Sequence, residues 1–140
     1  MNVKLLDLQA QYLPLRGEIQ KAVGQVCDEQ ALILGPHVEK FEKNLAAYCG
    51  TKHAIGVSSG PDAILCALMA LGIQPGDEVI VPAFTFFATA GCVARLGAKP
   101  VFADIEPDTF NLDPAKLARH ITQNTKAVMP VHLFGQCANM

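Results

Sequence analysis

Charged residues are scarce in this sequence, and they do not gather into a basic block. Among 140 residues there are 11 Lys or Arg and 13 Asp or Glu, so the formal net charge is −2. A protein that binds nucleic acid needs a basic patch or stripe, often with aromatic residues between the charges. The charge pattern therefore argues against nucleic acid as a partner.

The sequence also lacks a long uninterrupted apolar segment. Its N-terminus, MNVKLLDLQAQ, has no continuous apolar run of the kind found in signal peptides. The longest uncharged stretch, residues 79–94, is broken by Pro82 and is shorter than the roughly 20 residues of a membrane helix. Because 51% of the residues are hydrophobic, the chain can still build a core. We therefore expect a soluble protein that does not enter a membrane.

No CxxC pair occurs, and the number of cysteines is odd. A structural zinc site needs paired ligands at short spacing, so this class of site is excluded. Most of the cysteines stand in apolar surroundings, and we expect buried free thiols in a reducing cytoplasm. The five are Cys27, Cys49, Cys66, Cys92 and Cys137.

Two families of catalytic and binding motifs are missing as well. Neither GxGxxG nor GxxxxGK[ST] is present, which argues against a nucleotide-binding α/β module. No nucleophile-and-base pair indicates a hydrolase.

What the sequence does contain is an alternation of strand and helix patterns. Apolar residues at helical spacing predict a helix over residues 13–32, with Pro14 in its first turn, and a second helix that ends at Gly50. Strands are then predicted in HAIGVS, DEVIVP, KPVFADI and KAVMPVHL, and helices in PDAILCALMALG, FATAGCVARLG and DPAKLARHI. This order indicates an α/β fold with helices packed on a mostly parallel sheet.

Turn and polar residues follow the ends of several predicted strands. In open α/β sheets, ligands bind just outside the carboxyl ends of the strands. The hypothesis of a binding site rests on this convergence and on no single residue. The segments are Ser58–Asp62, Pro82–Phe87, Asp104–Glu106 and His132–Gln136.

The segment VSSGPDAI has the layout of an anion-binding turn. Gly60 lets the backbone approach a ligand, the hydroxyls of Ser58 and Ser59 can donate, and a helix start favours negative charge. The other interpretation, which the local sequence favours, is an ordinary strand-to-helix turn with serine caps.

Further residues near strand ends also remain open between two interpretations. One of Phe84, Phe86 and Phe87 could stack on a flat ring, although we expect Phe84 and Phe87 to belong to the core. Asp104 could pair with a cation, but a turn carboxylate is favoured. His132 could face a ligand, but a half-buried histidine bonded to the backbone is favoured.

Four blocks of the sequence carry a resemblance to a known family. They are GPHVEKFEKNLAAYCGTKHAIGVSSG, ALGIQPGDEVIVPAFTFFATA, GAKPVFADIEPDTFNLDP and TKAVMPVHLFGQ. In this order and at this spacing they resemble the DegT/DnrJ/EryC1/StrS aminotransferases, which use pyridoxal 5'-phosphate (PLP) to transfer an amino group to nucleotide-linked keto-sugars. The match covers most of the chain.

The resemblance implies the N-terminal part of the large domain of an aspartate-aminotransferase-type fold. Residues 1–35 would form an N-terminal helical segment, and residues 36–140 a partial PLP-binding α/β domain. The partners it implies are a nucleotide-sugar substrate, an amino-acid amino donor and a second copy of the chain in a homodimer.

The resemblance also implies five cofactor-binding positions. In the family, the turn matching Ser59, Gly60, Pro61 and Asp62 holds the cofactor phosphate, and the aromatic residue matching Phe86 stacks on the pyridine ring. The VHL segment passes near the cofactor pocket.

Pro61 departs from the family, which usually has threonine at this position. Proline supplies neither a hydroxyl nor an N–H, and a hydrogen bond to a charged group contributes about 1.5–3 kcal/mol. We therefore expect a weakened phosphate cradle, served by Ser58, Ser59 and the N–H groups that follow Pro61.

A second departure concerns the chemistry. In the family, the lysine that holds PLP and the acid facing its ring nitrogen lie beyond the VHLFGQ block, and the lysines of this chain match no catalytic position. The expectation is an N-terminal portion without catalytic residues, inactive by itself and with PLP binding weakened or absent. The alternative is a non-catalytic binding protein that retains the fold.

Overall fold

The structure, a computed structural model, describes residues 5–140. The chain divides into two compact units, one that ends at Gly56 and one that begins at Val57. Within the described range, no helix is both long and apolar enough to cross a bilayer. The predicted division of the chain after residue 35 stays a prediction.

The first unit begins with helix α1, Leu8–Glu29. Its N-cap is Asp7, whose Oδ1 accepts the N–H of Ala10 at 3.1 Å. The predicted start at residue 13 was therefore wrong, and Pro14 lies inside the helix rather than in its first turn. The carboxylate cap satisfies one of the N–H groups at the helix start, so the helix can begin before the apolar pattern does.

Helix α2, Pro36–Cys49, follows the predicted pattern at both ends. Pro36 occupies its first turn, and Gly50 ends it with φ 66°, a left-handed conformation that glycine adopts without strain. The predicted apolar face is present, but it is not covered, since Phe41 is 60% and Tyr48 is 91% exposed.

The second unit contains a three-stranded parallel sheet. The strands are β1 (Glu78–Pro82), β2 (Lys99–Ala103) and β3 (Thr125–Val128), and their order is β2-β1-β3. The helices are α3 (Gly60–Ala70), α4 (Ala88–Arg95) and α5 (Pro114–Leu117). The predicted α/β fold with a parallel sheet is confirmed.

Strand β1 forms the centre of this unit because both of its faces are covered. All five of its residues are buried. Val79 and Val81 belong to a cluster with α3 and α4 residues, whereas Ile80 belongs to a second cluster with Ala103 and Leu112. Alternate side chains of a strand point to opposite faces, so one β-branched run fills both sides of the sheet.

Local capping signals place the start of α5 as predicted. Asp113 is the N-cap, and its Oδ1 accepts the N–H of Ala115 at 2.9 Å. Pro114 follows in the first turn, where its missing N–H is not needed. The helix itself is shorter than predicted and continues as a 3-10 turn over Ala118–His120.

The segment HAIGVS does not form the predicted strand. Residues 53–57 have irregular backbone, and Gly56 donates its N–H to Oε1 of Glu42 at 2.7 Å. A strand needs a hydrogen-bonded neighbour along its length. Within residues 5–140, the three strands pair only among themselves.

The prediction of buried cysteines was correct for one residue only. All five thiols are free, as expected, and Cys92 is buried against the core. The other four are exposed because they lie on uncovered helix surfaces or near residue 140. They are Cys27, Cys49, Cys66 and Cys137.

Candidate functional site

A cleft of about 530 Å³ lies at the carboxyl ends of β1 and β3. Its walls are the start of α3 with Gly60 and Pro61, the segment after β1 with Phe86, and residues 129–132 after β3. The N–H of Met129 donates to the carbonyl of Ile80 at 2.9 Å, which fixes the last segment beside β1. Three of the four segments predicted to converge do line one cleft.

Residues 104–106, the fourth predicted segment, do not line this cleft. Asp104 accepts the N–H of Ile105 at 2.9 Å and the ammonium of Lys116 at 3.3 Å. These two contacts, with the backbone bond the larger cause, lower the pKa of Asp104 below its ordinary value. The carboxylate of Asp104 therefore has both predicted roles, because it caps the turn at Ile105 and also pairs with the ammonium of Lys116.

The start of α3 is a capped turn. Ser59 is the N-cap, and its Oγ accepts the N–H of Asp62 at 3.2 Å. Gly60 is the first helical residue and Pro61 the second. The buried thiol of Cys92 donates to the carbonyl of Pro61 at 3.4 Å, so α4 holds the turn from the core side.

The two serine hydroxyls of this turn donate to the same carboxylate oxygen. Ser59 Oγ lies 2.8 Å from Oδ2 of Asp62, and Ser58 Oγ also donates to that oxygen. The bond from Ser58, followed by that from Ser59, lowers the pKa of Asp62. The carboxylate is therefore ionised at neutral pH and accepts a hydrogen bond from each of the two hydroxyls.

Few donors remain open at the N-terminus of α3. Pro61 has no N–H, and the N–H of Asp62 is taken by Ser59. Among the first three helical residues, only the N–H of Gly60 lacks an acceptor within residues 5–140. The turn thus combines one open amide with the positive end of the helix dipole.

Three phenylalanines follow β1, and all of them are exposed. Phe86 is 76% exposed and lines the cleft. The prediction that Phe84 and Phe87 belong to the core was wrong, since they are 50% and 80% exposed. Phe84 packs instead on the ring of Phe110, with centroids 5.7 Å apart.

The position of Phe87 has a local cause. Helix α4 begins directly after it, and its ring lies over Gly91 one turn later. A β-carbon added at Gly91 would lie 2.8 Å from Cε1 of Phe87, so glycine makes room for the ring on the helix surface. The ring therefore covers α4 rather than filling the core.

His132 lines the cleft with a backbone partner on one nitrogen. Its Nδ1 accepts the N–H of Ala138 at 3.0 Å. The predicted backbone bond is confirmed, but the residue is exposed rather than half-buried. In the neutral ring, an acceptor at Nδ1 places the proton on Nε2.

Asn111 supports the loop after His132, and sequence reasoning missed it. It is buried, its Nδ2 donates to the carbonyl of Gln136 at 3.1 Å, and its Oδ1 accepts the N–H of Leu133 at 3.0 Å. One amide side chain thereby joins both ends of the turn over residues 133–136. The only available signal was an asparagine between two large apolar residues.

The sequence profile of the DegT/DnrJ/EryC1/StrS aminotransferase family matches residues 14–140. The chain belongs to this family. Its members are PLP-dependent, and one solved relative, NtdA of Bacillus subtilis, holds the cofactor as PMP. Residues 5–140 contain no group of three or more His, Cys, Asp or Glu placed to hold a metal ion.

Curated relatives and solved structures agree with the family assignment. The chain is 55% identical over its full length to a pleiotropic regulatory protein of Geobacillus stearothermophilus. It is 47% identical, over 98% of its length, to the UDP-2-acetamido-2-deoxy-3-oxo-D-glucuronate aminotransferase of Pseudomonas aeruginosa. The X-ray structure of S. venezuelae DesV covers 98% of the chain at 47% identity, with a TM-score of 0.94.

The matches cover nearly all of this chain but less than half of each relative. The chain spans 38% of each of the two sequence relatives and 37% of the DesV chain.

Proposed function

We propose that this chain is part of a PLP-dependent aminotransferase that acts on nucleotide-linked keto-sugars. One observation carries the proposal: the start of α3, the exposed ring of Phe86 and residues 129–132 surround a single cleft. The sugar aminotransferases among its relatives, matched over nearly the whole chain, support the same substrate class.

The residues of the cleft fit the chemistry of PLP. The cofactor carries a phosphate and a flat pyridine ring. The open N–H of Gly60 and the dipole of α3 suit an anion, and Phe86 presents a flat apolar face. The cleft volume of about 530 Å³ lies within the usual range for small-molecule sites.

In this proposal five residues lie around the bound cofactor. Ser59, Gly60, Pro61 and Asp62 surround the phosphate, and Phe86 stacks on the ring and keeps water from one of its faces. When bound, PLP supplies the electron sink that amino transfer requires. The chain's own residues bind and orient the cofactor.

The proposal assigns no catalytic residue within residues 1–140. The lysines of this chain match no catalytic position of the family. A protein consisting of these residues alone is therefore proposed to bind PLP weakly and to transfer no amino group. We further propose that the whole enzyme uses an amino-acid donor and works as a homodimer in the cytoplasm.

The stacking role of Phe86 can be tested with a matched neighbour. We expect Phe86→Ala to weaken PLP binding about two- to twelvefold, since an aromatic pair contributes about 0.5–1.5 kcal/mol. Phe87→Ala removes an equally exposed ring that does not line the cleft and should leave the affinity unchanged. Isothermal titration calorimetry measures both dissociation constants. Equal losses in the two variants, or no binding by the unmodified protein, would contradict the proposal.

A further inference from the structure

We propose that Asp62 competes with the phosphate of the cofactor for the hydroxyl protons of Ser58 and Ser59, and so sets the affinity of the phosphate turn. The inference rests on the proposed function, because it concerns how the same turn binds the same group. It makes Asp62 a residue that limits phosphate binding rather than one that contacts the phosphate favourably.

A serine hydroxyl has one proton to donate. Ser58 and Ser59 both donate their one hydroxyl hydrogen bond to Oδ2 of Asp62. The hydroxyl oxygen of Ser59 also accepts the N–H of Asp62. A phosphate oxygen only accepts, so it can use either hydroxyl only after that hydroxyl leaves Asp62.

Besides the two serine hydroxyls, the start of α3 has few hydrogen-bond donors for a phosphate. Pro61 removes one amide, and the N–H of Asp62 is already bound, so Gly60 supplies the one open N–H among the first three helical residues. A turn with few backbone donors depends on its hydroxyls. Competition for the two serine protons therefore has a large effect here.

The charge of Asp62 also disfavours a phosphate at this helix start. The carboxylate of Asp62 stands in the first turn of α3, where the helix dipole favours one negative charge. A phosphate at the same helix start brings further negative charge close to the carboxylate, and like charges at short range disfavour each other. Asp62 thus already occupies the interactions that the phosphate would use.

The test separates the phosphate from the rest of the cofactor. We would measure binding of 4'-deoxypyridoxine 5'-phosphate and of 4'-deoxypyridoxine by calorimetry, since neither has an aldehyde that could react with lysine. Asp62→Asn keeps the size of the side chain and removes its charge. We expect the variant to bind the phosphorylated compound at least tenfold more tightly and the unphosphorylated compound with unchanged affinity.

Asp113→Asn is the matched control for a lost charge. Asp113 is also a carboxylate at the start of a helix, but it is the N-cap of α5 and does not line the cleft. Its substitution changes the net charge of the protein by the same amount and should leave both affinities unchanged. A gain of equal size in Asp113→Asn would show a general charge effect and would overturn the inference.

A second variant tests where the hydroxyl proton goes. Ser58→Ala should weaken binding of the phosphorylated compound much more in the Asp62→Asn background than in the unmodified protein, because the neutral amide oxygen is a weaker acceptor than the carboxylate and leaves the hydroxyl of Ser58 freer to turn to the phosphate. Thermal unfolding by circular dichroism confirms that each variant is folded. Equal effects of Ser58→Ala in both backgrounds would overturn the inference.

The two proposals fail in different ways. If Asp62→Asn binds the phosphorylated compound no more tightly than the unmodified protein, the inference is wrong and the proposed function stands. If neither protein binds either compound, the proposed function fails and the inference fails with it.

Discussion

Strand β1 and helix α1 both carry an apolar pattern, but only the strand is covered. All five residues of β1 are buried, and Val79, Ile80 and Val81 have no exposed surface. Helix α1 has no buried residue, and Ile19 is 43% exposed. Apolar spacing therefore indicates which face of an element is apolar, but not whether another part of the protein covers it.

The physical difference lies in the neighbours of the two elements. β1 has a strand on each side and packed side chains on each face. Its burial follows from the sheet, which is built by contacts between residues far apart in sequence. The helix α1 is stabilised locally, by its cap at Asp7 and by its own backbone bonds.

A matched pair of substitutions tests this comparison with the largest effect. Ile80→Ala should lower the free energy of unfolding by about 2–5 kcal/mol, because it leaves a cavity in the core. Ile19→Ala should change it by less than about 1 kcal/mol, since the side chain is partly exposed and alanine is the better helix former. Urea unfolding of both variants measures the difference. A loss at Ile19 as large as that at Ile80 would show that α1 is covered in solution.

The second prediction concerns a buried polar group. Asn111→Ala removes the amide that holds Leu133 and Gln136, and we expect a loss of about 1–3 kcal/mol in the free energy of unfolding, since both backbone groups lose a partner. Asn139→Ala, at an exposed position, is the control.

A site-specific measurement distinguishes this local role from general destabilisation. In Asn111→Ala the amide hydrogen of Leu133 should exchange much faster with solvent than in the unmodified protein, whereas the exchange of the β1 amides should accelerate only by the factor that corresponds to the lost global stability. If the exchange of Leu133 is accelerated by no more than that of the β1 amides, the bond does not stabilise the loop specifically.

The sequence predicts best where structure depends on neighbouring residues. Asp113 and Pro114 at the start of α5, and Gly50 at the end of α2, act within one helical turn, so their roles could be predicted. The family and the fold follow from four long blocks that agree in order and spacing.

Where the outcome depends on distant partners, the sequence alone is insufficient. HAIGVS has strand composition, but no described strand pairs with it. Phe84 and Phe87 are large and apolar, yet their environment is set by Phe110 and Gly91. In the candidate site, the turn at the start of α3 could be predicted, but the engagement of both serine hydroxyls by Asp62 depends on side-chain geometry.

The smallest expected effect is a change in the pH dependence of stability, and it is tested on one ion pair from each unit. Glu78 in β1 accepts the hydroxyl of Thr122 at 2.6 Å and the ammonium of Lys99 at 2.9 Å. These bonds, that of Thr122 first, lower the pKa of Glu78. The interaction therefore adds stability above the ordinary glutamate pKa of about 4.3, and this stability is lost as the pH falls through the lower pKa of the folded protein.

Glu39 in α2 is the matched control, because it is 66% exposed and lies 3.8 Å from Lys43. Such an exposed pair, four residues apart on a helix, contributes about 0.3–0.5 kcal/mol. Between about pH 5 and about pH 3, the urea midpoint should fall less in Glu78→Gln than in the unmodified protein, whereas Glu39→Gln should follow the unmodified protein closely. An identical pH dependence in all three proteins would mean that the Glu78 bonds, although formed at the edge of a buried strand, stabilise the fold no more than a solvent-exposed pair does.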